Sequence, residues 1–126
     1  PSRVSTGNLG VVVFHASPVD LHSGIRADMP ESSFAEYGEA AGADLLIFGN
    51  TLRPFHRVVN RRHFVNAGSV GRPRDRNPHT GYAVIETDDD LRVSFRRFAY
   101  DIERTLTALR ERGAPAGVAE ALTSGL

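Results

Sequence analysis

The sequence contains no cysteine and no lysine. Without cysteine there is neither a disulfide framework nor a thiolate metal site, so any metal ion must rely on His, Asp, Glu, Asn or backbone oxygen. Such donors favour hard or borderline ions. Without lysine, all fifteen basic residues are arginine. A GC-rich coding bias accounts for this composition, and anion recognition by guanidinium groups is the alternative.

Long apolar runs are also missing. The longest uncharged apolar run, residues 9–14, is far shorter than the roughly 20 residues that span a bilayer. The formal net charge of zero argues against general nucleic-acid binding. With 126 residues, of which 40% are apolar, the chain is long enough for one core and too short for two ordinary domains. We therefore expect one soluble, cytoplasmic globular domain without a nucleic-acid or membrane partner.

Two polar residues follow short apolar segments that predict buried strands. Residues 9–14 end at His15, and residues 45–48 end at Gly49 and Asn50. In open α/β sheets, ligands bind beyond the carboxyl ends of the strands, so we expect His15 and Asn50 on one rim. A lone histidine in this position is more often structural than a metal ligand, and both interpretations stay open at this point.

The segment between these strands predicts a surface loop and then a helix. Residues 16–30 are rich in Pro, Ser, Asp and Gly, which is typical of a loop that edges a site. Ser32 or Ser33 is expected to cap a helix that runs to about Ala41 and ends at Gly42. Strand, helix and strand together predict a βαβ unit.

The second half of the sequence predicts an antiparallel hairpin and two closing helices. Leu91, Val93 and Phe95 alternate with polar residues, as in a strand with one buried face. Asp101 is a good helix N-cap. The predicted elements are a strand at 63–66, a turn-rich connection at 68–78, hairpin strands at 82–86 and 91–98 joined by residues 87–90, and helices at 102–112 and 116–124.

Two motifs in the middle of the chain carry a family resemblance. They are Gly49-Asn50-Thr51-Leu52-Arg53-Pro54-Phe55 and Asn66-Ala67-Gly68-Ser69-Val70-Gly71-Arg72-Pro73-Arg74-Asp75. Together they resemble the closing motifs of the calcineurin-like metallophosphoesterases, specifically the small bacterial and archaeal phosphodiesterase branch. In that family the first motif reads Gly-His-Thr-His, and both histidines hold metal. Here those positions are Asn50 and Leu52.

The resemblance runs from about Leu9 to Leu126, and it implies a fold and an activity. The implied fold is α/β: the C-terminal half of a metallophosphoesterase-like α/β sandwich, with a mixed sheet, an antiparallel hairpin and C-terminal helices. Residues 1–126 are then a single domain that lacks the family's N-terminal half. The implied activity is hydrolysis of phosphodiesters or phosphomonoesters by two divalent ions of the Mn, Fe, Zn or Mg type.

The resemblance also assigns candidate site residues. His15 stands in a His15-Ala16-Ser17-Pro18 context that is similar to the family's His-Gly-Ser-Pro, so His15 is the best candidate metal ligand. Asn50 could supply an amide oxygen, which is a weak ligand. Arg72 and Arg74 are candidates for binding substrate phosphate, although Arg74 is equally consistent with an ion pair to Asp75.

Other segments of the family have no counterpart in this sequence. The family's first half supplies an Asp-x-His strand end, a Gly-Asp-x-x-Asp turn and a Gly-Asn-His-Asp segment. No predicted strand here ends in Asp-x-His, and the other two segments do not occur. A two-metal site needs roughly three protein ligands per ion, so one copy of this chain cannot build it. We assign no catalytic residue and predict that this chain alone is impaired or inactive as an enzyme.

The remaining polar groups have structural explanations. We interpret His22 as a solvated loop residue and His56 as a surface residue, and we expect no partner at metal-ligand spacing for His63 or His79. The Asp-rich segment at 87–90 suits a hairpin turn.

Three hypotheses for function remain open. The first is a metallophosphoesterase-like half whose other half has been truncated, cleaved or encoded separately. The second is a degenerate member that acts as a protein-interaction scaffold, as the retromer scaffold subunit of this family is understood to do. The third is an arginine-rich phosphate-binding module. The expected partners are the missing half, a second copy of this chain, or another protein.

Overall fold

The structure, a computed structural model, describes residues 1–88 and 90–126. Within these residues seven strands and three helices form, and no helix is long and apolar enough to cross a membrane. The elements are β1 (Ser2–Thr6), β2 (Leu9–Val13), α1 (Glu31–Ala41), β3 (Leu45–Phe48), β4 (Phe55–Val59), β5 (Arg62–Asn66), β6 (Thr80–Glu86), β7 (Arg92–Phe98), α2 (Ile102–Glu111) and α3 (Ala116–Ser124).

The first five strands form one mixed sheet in the order β1-β2-β3-β5-β4. The three central strands run parallel, and β1 and β4 pair antiparallel at the two edges. The last two strands form a separate antiparallel hairpin. The predicted α/β class, with a mixed sheet, a hairpin and C-terminal helices, is confirmed.

The main sheet is buried on both faces, which explains why β2 and β3 are continuous apolar runs. On one face Phe64 packs against Phe34 of α1, with ring centroids 5.1 Å apart in an edge-to-face arrangement. On the other face Val65 packs under the hairpin, whose Ala83 and Ile85 point inward. The core therefore lies in two layers, one on each side of the sheet.

The edge strands β1 and β4 were not among the predicted strands. All five residues of β1 are exposed, so this strand carries no apolar alternation. β4 joins β5 through Asn60 and Arg61, which have φ of 49° and 61°. Positive φ at both central residues is the requirement of a tight type I′ hairpin turn, and asparagine is one of the residues that meets it.

The predicted N-cap of α1 is wrong, whereas the predicted end of α1 at Gly42 and the predicted N-cap of α2 agree with the structure. Pro30 occupies the N-cap, makes no side-chain cap and accepts a hydrogen bond from the Ser33 N–H, so Ser32 and Ser33 lie inside the helix. Proline suits this boundary because its fixed φ resembles that of a helix. Gly42 ends α1 at φ 58°, and Asp101 caps α2 by accepting from the Arg104 N–H.

The hairpin pairs in full register from Thr80 with Phe98 to Glu86 with Arg92. Its strands differ from the predicted bounds by two residues at the start of β6 and one at the start of β7. The predicted turn at 87–90 includes Asp89, which lies outside the described residues.

Candidate functional site

His15 and Asn50 meet at the carboxyl ends of β2 and β3. The Gly49 N–H donates to the His15 carbonyl at 3.0 Å, so backbone hydrogen bonding continues past the ends of the strands. The side-chain amide of Asn50 lies 3.2 Å from Nε2 of His15. The predicted location of both residues on one rim is confirmed, and we call this pair with its loop, residues 49–53, the rim.

The rim loop has an unusual backbone. Asn50 has φ of 65° and Leu52 has φ of 60°. Asparagine adopts this left-handed region readily, whereas leucine does so at a cost of about 1 to 3 kcal/mol. The Leu52 carbonyl accepts a hydrogen bond from the Arg74 N–H at 3.0 Å, which ties the loop to the second motif.

The side chain of Asn66 anchors the rim loop through hydrogen bonds. Its side chain is fully buried, and its amide donates to the Gly49 carbonyl and to Oγ1 of Thr51, both at 2.9 Å. Its Oδ1 accepts from the Gly68 N–H at 3.0 Å, and Gly68 has φ of 81°. The two motifs therefore form one hydrogen-bonded unit.

The loop at 16–30 covers the rim closely. A Cβ added to Gly24 would stand 2.4 Å from Oδ1 of Asn50 and 2.6 Å from Cγ2 of Thr51. Real Cβ atoms do not approach other atoms so closely, so only glycine lets the loop pass over Asn50 without displacing it. This loop therefore edges the rim, as expected for the segment between β2 and α1.

The donor set on the rim does not fit the two-metal centre that the resemblance implies. It comprises one imidazole, on His15, and one amide, on Asn50, while Leu52 has no donor atom. Over residues 1–88 and 90–126, no three His, Cys, Asp or Glu side chains lie together as a metal site. His15 and Asn50 as metal ligands therefore remain a prediction.

The substrate candidates Arg72 and Arg74 lie in different surroundings. Arg74 borders a 400 Å³ cavity together with Arg53 and Arg76, and the guanidinium of Arg53 donates to the Arg74 carbonyl at 2.6 Å. Arg72 is exposed, and its backbone N–H donates to Oγ of Ser69 at 2.9 Å. Arg74 thus belongs to a group of arginines beside the rim, whereas the described contact of Arg72 fixes the turn.

A second cavity of 260 Å³ adjoins the first one. The two cavities share Ala27, Arg53 and Pro54, and Arg26 lines the second. Guanidinium groups bind phosphate through paired, charge-assisted hydrogen bonds. We call the two cavities together the arginine groove.

Asp75 does not pair with Arg74, which was one of the two interpretations of that residue. Its carboxylate instead forms an ion pair with Arg97 of β7, and both side chains are about three-quarters buried. The other carboxylate oxygen of Asp75 is buried and has no hydrogen-bond partner among the described residues. This pair joins the segment after β5 to the hairpin, so Asp75 has a structural role.

The interpretation of His56 as a simple surface residue, and of His63 as lacking a partner, is wrong. Nε2 of His56 lies 3.0 Å from Nδ1 of His63, and the two half-buried rings stack with an angle of 16° between their planes. Burial lowers the pKa of both imidazoles, and for His56 the charge of His63 lowers the pKa further. The strand pairing that joins them involves β4, which had not been predicted.

The fold is similar to that of metallophosphoesterase-like proteins of known structure. The chain matches the crystal structure of a metallophosphoesterase from Sphaerobacter thermophilus with a TM-score of 0.81 and 26% sequence identity, over 100% of this chain and 58% of that one. It matches a hypothetical protein from Pyrococcus horikoshii with a TM-score of 0.87 and 21% identity, over 99% of this chain and 50% of that one. The chain thus spans between half and three-fifths of these proteins.

A more distant match is Vps29 from Entamoeba histolytica, crystallised with zinc, with a TM-score of 0.52 and 18% identity over 78% of this chain and 60% of that one. No protein-family model and no curated protein matches the sequence. The structural matches support the relationship to the calcineurin-like metallophosphoesterase superfamily that the motifs indicate.

Proposed function

We propose that this chain is a metallophosphoesterase-like domain that does not hydrolyse phosphate esters by itself. The proposal rests on one observation, the donor set of the rim. Where the family's motif has two metal-binding histidines, this chain has an amide at Asn50, hydrogen-bonded to His15, and an alkyl group at Leu52. Two ions about 3.5 to 4 Å apart must be held to activate water and stabilise the displaced oxygen. One imidazole and one amide are too few donors for that.

The arginine groove supports retained recognition of a phosphate group. Arg53 and Arg74 line the groove. They also shape the rim loop, because Arg53 donates to the Arg74 carbonyl and the Arg74 N–H donates to the Leu52 carbonyl. A phosphate bound by these guanidinium groups would therefore lie beside the rim loop, whose Thr51 and Arg53 line the groove. Binding would orient a phosphate-bearing ligand without supplying a metal-activated nucleophile.

The proposal is tested with bis-p-nitrophenyl phosphate and added manganese. We expect the rate of product release to equal that of the buffer blank, and His15→Ala to leave it unchanged. The double variant Asn50→His, Leu52→His is expected to bind manganese more tightly, because it restores two imidazole donors at positions whose positive φ histidine tolerates. Turnover by the unmodified chain that His15→Ala abolishes would overturn the proposal.

A second candidate function is that of a protein-interaction scaffold. It is favoured by the outer face of the hairpin, where the half-exposed rings of Tyr82 and Phe98 lie with centroids 6.1 Å apart. Val58 of the edge strand β4 is also exposed. Exposed aromatic pairs and unpaired strand edges are typical binding features, and they suit a second copy of the chain or another protein.

Sedimentation velocity tests the scaffold candidate. We expect the chain to sediment as a dimer or larger species, and the double variant Tyr82→Ser, Phe98→Ser to shift it towards the monomer, because two exposed rings are lost from the contact surface. Thr87→Ser, a polar change in the turn, is the matched control. A stable monomer at high concentration, with no protein that co-purifies, would count against this candidate.

A further inference from the structure

His56 and His63 are held together by the pairing of two strands. In the register of β4 and β5, His56 lies opposite Val65 and His63 lies opposite Val58. The two histidines are therefore diagonal neighbours on one face of the sheet, opposite to the face that carries Phe64. The paired backbones set the separation of the two rings.

We propose that His56 and His63 form a binding site for a borderline divalent ion of the Zn²⁺, Ni²⁺ or Cu²⁺ class. Two nitrogens that bind one ion at about 2.0 to 2.1 Å stand about 3.3 to 3.4 Å apart in tetrahedral geometry and about 2.8 to 3.0 Å apart in square-planar geometry. The nitrogens of this pair are 3.0 Å apart. Rotation of each ring by about 35 to 45° from the line between the nitrogens would direct both lone pairs at one ion, which would replace the hydrogen bond between the rings.

The ligand chemistry narrows the class of ion. Both donors are imidazoles, which suit zinc, copper and nickel, whereas magnesium and calcium prefer oxygen. No third His, Cys, Asp or Glu joins the pair in the described part of the chain. The remaining coordination positions would be filled by water or by an added ligand, so the bound ion would be exchangeable.

An ion could reach this pair from solvent. His63 borders an open cavity of 610 Å³. Among the described residues, the charged groups around that cavity are the carboxylates of Asp44 and Asp88 and the guanidinium of Arg61, whose formal balance favours a cation by one charge. A candidate metal site needs both an access route and compensating charge, and this cavity provides them.

The proposed site is separate from the rim. His15 follows the carboxyl end of β2, whereas His63 is the second residue of β5 and aligns with Leu45 at the start of β3. The central strands run parallel, so His63 lies at the opposite end of the sheet from the rim, whereas His56 lies opposite Val65, nearer the rim end. The proposed site nevertheless shares no residue with the rim. The proposed metal site at His56 and His63 can therefore be tested independently of the proposed function.

Calorimetric titration of the EDTA-treated full chain with Zn²⁺ tests the site. We expect one ion per chain and, because even loss of an outer partner weakens metal sites about 10- to 100-fold, at least tenfold weaker binding for His56→Gln and for His63→Gln. His22→Gln and His79→Gln are the matched controls, with expected unchanged affinity. Unchanged affinity in both pair variants, or loss of binding only in His15→Gln, would overturn the proposal.

Copper provides an independent readout of the ligands. The electron paramagnetic resonance spectrum of the Cu²⁺ complex is expected to show hyperfine coupling to two imidazole nitrogens, and to one in either single variant. Circular dichroism of the metal-free variants verifies that each is folded, and if His63→Gln does not fold, His56→Gln on the edge strand decides alone. A two-nitrogen spectrum that persists in His56→Gln would refute the assignment.

Discussion

Phe64→Ala is expected to destabilise the chain by about 3 to 5 kcal/mol, the usual cost of emptying a buried aromatic site. Phe64 is fully buried in β5, and its ring contacts Phe34 of α1 edge-to-face. Removing it leaves a cavity between the sheet and the helix and also removes the aromatic contact. A domain of this kind has about 5 to 15 kcal/mol of stability in total, so the variant should be close to unfolding.

Urea denaturation followed by circular dichroism measures this loss. Phe98→Ala is the matched control, because it deletes the same atoms from a ring that is 45% exposed at the end of β7. We expect the control to cost about 1 kcal/mol, mainly through its contact with Tyr82. Equal losses for the two variants would show that the layer between the sheet and α1 is not the principal core.

The central strands and the helices could be predicted from the sequence because burial and helix ends each require particular residues at particular positions. Residues 45–48 are an uninterrupted apolar run, which a strand buried on both faces requires. Gly42 and Asp101 mark helix ends because the backbone groups at those ends need particular residues. Each of these signals is local, so a single sequence carries it.

The edge strands and the histidine pair could not be predicted in the same way. β1 has five exposed residues and is a strand only because β2 offers unpaired backbone groups beside it. His56 and His63 approach one another only in the register that the turn at Asn60 and Arg61 imposes. Pairing and register are properties of two segments at once, so neither segment alone reveals them.

Some contacts of the candidate site could be predicted from the sequence, and others could not. The contact between His15 and Asn50 could be predicted because parallel strands bring their carboxyl ends to one edge. The partner of Asp75 could not, because Arg97 lies 22 residues further along the chain. The second motif could be recognised in the sequence, whereas the hydrogen bonds from its Asn66 to the rim loop became visible only in the structure.

Asn66→Ala is expected to cost about 2 to 4 kcal/mol and to loosen the rim, because each half-buried group that loses its partner costs about 1 to 3 kcal/mol unless water replaces it. The groups concerned are the Gly49 carbonyl, Oγ1 of Thr51 and the Gly68 N–H. Urea denaturation measures the global loss, and hydrogen exchange by NMR measures the local one. Faster exchange is expected at Thr51 and at Gly68.

Asn66→Asp distinguishes the hydrogen bonds that the Asn66 side chain donates from the one that it accepts. The carboxylate has nearly the same shape and still accepts from the Gly68 N–H, but it cannot donate to the Gly49 carbonyl and would repel it. The Thr51 hydroxyl can reverse its role and donate to the carboxylate. We therefore expect Gly68 to stay protected in this variant, while the Thr51 N–H, which donates to the Gly49 carbonyl, exchanges faster than in the unmodified chain. If Thr51 keeps its protection in both variants, the rim loop is held by its own backbone, and the second motif does not determine where Asn50 meets His15.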